Sequence, residues 1–138
     1  MRGKVVNKEN FKDGQTIFKE GTFGESTYIV LSGNVNVFKK INGEDMLVAT
    51  LGKDDLFGEI RFAEPTNIID EGRQRFASVV ASGDVQIGVL DKDFLDSEWN
   101  KTSSEFRLIM RALTERLKKT TAELINVRSE LLRLKSES

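Results

Sequence analysis

Ten of the eleven glycines in this chain lie between residues 14 and 88, and none follows. That distribution divides the chain before any other property is considered. Glycine inside a helix costs roughly 1 kcal/mol relative to alanine, so a glycine-punctuated region favours short strands joined by tight turns. The pairs Asp13-Gly14, Glu20-Gly21, Ser32-Gly33, Asn42-Gly43, Leu51-Gly52 and Ser82-Gly83 recur at short intervals. Between them, apolar residues alternate with polar ones, as in Val35-Asn36-Val37 and Val85-Gln86-Ile87-Gly88-Val89, and Tyr28/Val30 and Ile29/Leu31 define two faces. Asn42-Gly43 links VNVFKK to MLVATL and predicts a type I′ hairpin. The expected fold is α+β and mainly β. Its first part is a small antiparallel β-roll or jelly roll, a double-stranded β-helix.

Beyond Leu90 the periodicity changes. DKDFLDSEW predicts a short helix, and Thr102-Ser103-Ser104-Glu105 reads as a capping box with Thr102 as N-cap. No glycine or proline interrupts the chain from Thr102 to Lys135, which allows one helix of about 33 residues, roughly 50 Å long. That helix carries a heptad. Met110, Leu117, Leu124 and Leu131 take position a, and Phe106, Leu113, Thr120, Val127 and Leu134 take position d. Glu123 and Glu130 fall at g, and Arg128 and Lys135 at e, where parallel, in-register helices pair their charges. An apolar stripe also marks a helix lying on a sheet, but that reading does not predict the g–e′ pairs. A parallel homodimer through Phe106, Met110, Leu113, Leu117, Leu124, Val127, Leu131 and Leu134 is therefore expected. The division implied is a β-roll over residues 1–95 and a C-terminal dimerisation helix over residues 96–138.

Composition narrows the chemistry. There is no cysteine and no histidine, which removes disulfides, thiolate and imidazole metal ligands, and the histidine general base. Net charge is −1 and gives no global attraction to nucleic acid. The C-terminal helix carries eight Lys/Arg against five Glu from residue 102 onward, which reads as a solvated face. No apolar run is long enough to span a bilayer, and MRGKVVNKEN has no apolar secretory core. The expectation is a cytoplasmic binding or regulatory module, neither an enzyme nor a metalloprotein, with no membrane or nucleic-acid partner.

The stretch FGEIRFAEPTNIIDEGRQRFASV, residues 57–79, sits between the two parts and presents Gly58-Glu59 and Arg75-Phe76-Ala77 at its ends. Together with DGQTIFKEG, TYIVLSGNVNV, LGKDDLFGE, RFASVVA and QIGVLDKDF, it resembles the cyclic nucleotide-binding domain family over nearly the whole chain. The resemblance implies that Gly58 and Glu59 meet the ribose hydroxyl. It likewise implies that Arg75 pairs with the cyclic phosphate, while Phe76 and Ala77 approach it through their backbone. These residue types suit the task, since a carboxylate only accepts and a guanidinium offers a planar donor fork. RLKKTTAELINV, residues 116–127, is similar to the dimer helix of the bacterial catabolite-activator type, and there Thr120 and Thr121 stand where adenine is met. The implied ligand is cyclic AMP first and cyclic GMP second, with no further cofactor. The downstream effector protein is unidentified, and no helix-turn-helix follows the helix, so DNA reading is not expected. Fifteen residues separate Glu59 from Arg75, more than the family usually has, and Glu64, Asp70 and Glu71 lie among them. Arg61 and Arg73 are available to neutralise them. A ligand-free β-roll serving as a dimeric interaction module is the alternative.

Overall fold

The computed structural model describes residues 5–58 and 74–137. Six antiparallel strands come first: β1 (Val5–Phe11), β2 (Thr16–Phe18), β3 (Tyr28–Ile41), β4 (Glu44–Leu51), β5 (Leu56–Phe57) and β6 (Ser78–Leu90). Two helices follow, α1 (Lys92–Lys101) and α2 (Ser104–Glu137). The sheet runs β1-β6-β3-β4, with β2 added to β6 and β5 to β3. The two long strands, β3 with 14 residues and β6 with 13, form its spine.

The roll closes because β3 changes face partway along. Its inward residues are Tyr28 and Val30 before the turnover and Val35 and Val37 after it, so the parity shifts by one. The register slips between Val30 and Asn34 accommodate that shift, β3 advancing five residues from Val30 to Val35 while β6 spans six from Ile87 to Ala81. Gly33 sits there at φ +83°, and a Cβ on it would strike the carbonyl of Asp84 on β6. The inward set then meets Phe57, Val79, Ala81, Val85 and Ile87 in one apolar core. The hairpin between β3 and β4 forms as the sequence predicts: Asn42 and Gly43 both have positive φ, 52° and 81°, and Ile41 faces Glu44.

The helix start differs from the sequence reading. Thr102 is the C-cap of α1, where its N–H and hydroxyl both bond Trp99 O. Ser103 takes over as N-cap of α2, and its Oγ accepts from Phe106 N at 3.1 Å. The Thr102 hydroxyl is turned back onto the last carbonyls of α1, so the capping role passes one position on. The boundary expected at residues 95 and 96 falls inside α1.

Helix α2 lies along the roll with its polar side inward. Arg107, Arg111, Thr114, Lys118, Thr121 and Ser129 are half-buried along one line, and Ile125 on the same line is fully buried. Arg128 Nη1 donates to Leu47 O on β4 at 2.9 Å, which fixes that side of the helix against the hairpin. The eight apolar heptad residues point elsewhere, with exposures from 47% at Met110 to 65% at Val127. The heptad stripe is therefore not a surface packed on the chain's own sheet.

Candidate functional site

Arg75 is the centre of the site. Its backbone is held on both sides: Arg75 N donates to Thr22 O at 2.7 Å, and Gly21 N donates to Arg75 O at 2.8 Å. The side chain then runs inward, so that the residue is only 8% exposed. Its Nη1 donates to Ser26 O at 2.9 Å. The guanidinium lies 4.2 Å from the Phe18 ring centroid and 5.8 Å from that of Tyr28. Phe18, Tyr28 and Phe57 pack on one another with centroids 5.0–6.0 Å apart, giving the cation a continuous aromatic floor.

Two glycines make room for it. A Cβ on Gly24 would lie 2.7 Å from both Nε and Nη2 of Arg75, and one on Gly58 would lie 2.9 Å from Nη1. Gly58 also has φ +84°, so glycine is required there twice over, for its backbone and for the space. A buried guanidinium placed this closely against backbone is suited to a single anion with bidentate geometry. Two surface clefts among the described residues lie elsewhere. One of about 600 Å³ is lined by Asn10, Lys12, Gln15 and Asp84, and one of about 440 Å³ by Lys19, Glu20, Lys40 and Asp45. Arg75 lines neither.

Of the residues the sequence singles out, the structure brings Gly58 and Arg75 into contact. Ala77 is buried beside them in the chain, and Phe76 is half-buried. The Phe76 ring lies 3.9 Å from Lys39 Nζ and 5.9 Å from Lys118 Nζ, so it points toward β3 and α2. Thr121 is on the inward line of α2, whereas Thr120 is exposed on the heptad stripe. Glu59, together with Arg61, Glu64, Asp70, Glu71 and Arg73, lies outside the described residues. Arg128 and Glu130, placed by the heptad in interhelical pairs, have partners within this chain: Arg128 bonds Leu47 O, and Glu130 pairs with Arg133. Exposed e and g charges take whatever local partner is within reach. Among the described residues no cluster of histidine, cysteine or carboxylates could hold a metal, and no helix is long and apolar enough to cross a membrane.

Sequence reading missed Phe18, Gly24, Ser26 and Tyr28. Phe18 and Tyr28 look like ordinary strand residues, and Gly24 lacks the positive φ that makes a turn glycine recognisable. Only the approach of Arg75 gives them their role.

Comparison with known proteins follows the same lines. The model of the family described as cyclic nucleotide-binding domain matches residues 8–101. A CRP-like cAMP-activated global transcriptional regulator from Mycobacterium tuberculosis is 30% identical over 126 residues, 90% of this chain and 53% of the regulator. Among solved structures, an EAL enzyme in its cAMP-bound form superposes with TM-score 0.72 at 27% identity, covering 95% of this chain and 32% of that one. The Thermus thermophilus catabolite activator protein superposes with TM-score 0.54 at 28% identity, over 94% of this chain and 55% of that one. The chain thus spans about half the length of the regulator it matches.

Proposed function

The chain belongs to the cyclic nucleotide-binding domain family, and from that premise we propose that it is a homodimeric regulatory module that binds cyclic AMP. The observation that carries the reading is Arg75, a buried guanidinium bedded on Phe18 and Tyr28 and flanked by Gly24 and Gly58. A guanidinium held in one place by its surroundings offers a preorganised planar donor fork, and a cyclic phosphate matches that fork in charge and geometry. Glu59 would take the ribose hydroxyl. Thr121, on the inward line of α2, is suited to the base of the ligand held by its own roll. Thr120, on the exposed stripe, is suited to the base held by the partner. The mycobacterial regulator, described as cAMP-activated, supports the choice of nucleotide, while the EAL enzyme was solved with cAMP and also with cGMP.

Dimerisation through α2 is supported by the eight exposed heptad residues, which its own roll leaves uncovered. A ligand acting on such a dimer must prefer one arrangement of α2, because equal affinity for two arrangements shifts neither.

Calorimetric titration with cyclic AMP and cyclic GMP, on wild type and on Arg75→Ala, tests the reading. Removing the phosphate's charge-assisted partner should weaken cyclic AMP at least about 100-fold. Absence of heat at millimolar nucleotide, or unchanged affinity in Arg75→Ala, sinks it. The second reading, a ligand-free interaction module, draws on the bond Arg75 already makes to Ser26 O. In that case Arg75→Ala lowers stability and wild type shows no heat.

A further inference from the structure

We propose that Phe76 is a positioning residue that ties the Arg75 segment to α2, through a ring held from β3 by Lys39 and from α2 by Lys118. The inference deepens the cyclic-nucleotide reading and rests on it for the ligand; the tie itself is a property of the unliganded chain.

Lys39 holds Phe76 twice. Its Nζ donates to Phe76 O at 2.6 Å and lies 3.9 Å from the ring centroid. The same ammonium pairs with Glu20 Oε2 at 3.0 Å, and its side chain is only 20% exposed. Glu20 is fixed in turn: its other oxygen accepts Lys40 N at 2.8 Å, and its own N–H donates to Ser78 Oγ at 2.9 Å. Both backbone bonds of Arg75 go to residues 21 and 22, next in the chain to Glu20. Residues 20–22, 39 and 75–78 therefore form one bonded unit around the anchor.

Lys118 reaches this unit from the helix, with Nζ 5.9 Å from the Phe76 centroid. It stands on the inward line of α2, three residues before Thr121. The ring is one of the contacts that Lys118 makes. A lysine turned inward on a helix is partly desolvated, and a π face compensates it without demanding the exact placement a carboxylate would. That tolerance suits a joint that must survive small movements. Phe76 follows Arg75 directly in the chain, so a change in the anchor's position on anion capture reaches the ring, and through Lys118 it reaches α2. The phenyl group is needed for this, whereas the phosphate requires only the residue's backbone.

Hydrogen exchange followed by mass spectrometry, with Phe76→Leu and Lys118→Met, decides the matter in two arms. Without nucleotide, Phe76→Leu should speed exchange in residues 114–125 by about threefold or more, and Lys118→Met should do the same for residues 74–80. Lys118→Arg, which keeps a cation over the ring, should restore wild-type exchange. Unchanged exchange in both variants overturns the tie whether or not a nucleotide binds. With 1 mM cyclic AMP, roughly a saturating concentration for any affinity of interest, wild type should gain protection in α2. Both variants should lose that gain, and Lys118→Met, which alters no residue placed at the ligand, should keep its calorimetric affinity within about threefold. Protection retained in Phe76→Leu overturns the inference and leaves the nucleotide reading standing. A wild type that gives no heat removes the nucleotide reading, and the first arm still decides the tie.

Discussion

The two long stripes of α2 have opposite characters from the ones a globular helix usually shows. The line facing the chain's own roll holds Arg107, Arg111, Thr114, Lys118, Thr121 and Ser129, with Ile125 as its one fully buried apolar side chain. The line facing away holds Phe106, Met110, Leu113, Leu117, Leu124, Val127, Leu131 and Leu134, each about half exposed. An amphipathic helix normally turns its apolar face to the core. The inversion shows that α2 is attached to the roll by a few specific contacts. Most of its apolar surface is left uncovered by the roll, and the proposed dimer would cover it with a second α2.

The largest expected effect lies on the outward stripe. Leu117→Glu combined with Leu124→Glu places four like charges in a two-stranded seam and should raise the dimer dissociation constant at least about a thousandfold, roughly 4 kcal/mol. Multi-angle light scattering over a dilution series reads this directly. A wild type that is monomeric throughout would break the comparison at its root. On the inward stripe, Ile125→Ala removes the one fully buried apolar side chain of α2 and should cost about 2–4 kcal/mol in urea unfolding. A change near zero would mean that α2 is not docked through this line.

Smaller effects sharpen the boundary between the stripes. Arg128 sits where the roll meets the seam, and its bond to Leu47 O should be worth about 1 kcal/mol. In Arg128→Ala, β4 amides should exchange faster while the dimer constant hardly moves. A strong effect on the dimer instead would return Arg128 to an interhelical pair. The weakest effect is at the helix end. Hydrogen bonding from Arg133, and then its charge, hold the Glu130 carboxyl below the usual carboxylate range. A depressed pKa contributes stability above the ordinary value and loses it as pH falls through the lowered one. Protection factors of residues 130–137, corrected for intrinsic exchange, should therefore fall as pH drops below the usual carboxylate range, and Glu130→Gln should remove that fall.

Much of the architecture was legible from periodicity. The glycine distribution marked where strands stop, Asn42-Gly43 announced the hairpin, and the heptad exposed on α2 could be counted before any coordinate was known. The misreading at Thr102 shows the limit of local rules. Thr102 and Ser103 are equally good caps, and the choice depends on Thr102 being used already by Trp99 O at the end of α1. The site was legible as a pair of end points. Its interior was not, because Gly24, Ser26, Phe18 and Tyr28 acquire their roles only when β2, β3 and the strand entry at Arg75 converge.

By itself the sequence determined what depends on neighbours along the chain: strand against helix, the type I′ turn, the lack of imidazole and thiol side chains, and an apolar stripe with a seven-residue repeat. Periodicity and turn chemistry act over a few residues and survive any arrangement of the rest. The tertiary structure alone decided which line of α2 faces the roll, and where the Phe76 ring goes. It also decided that two glycines of unlike conformation flank one arginine. Those outcomes depend on distances between residues far apart in sequence, and close packing sets such distances only when all the elements are in place.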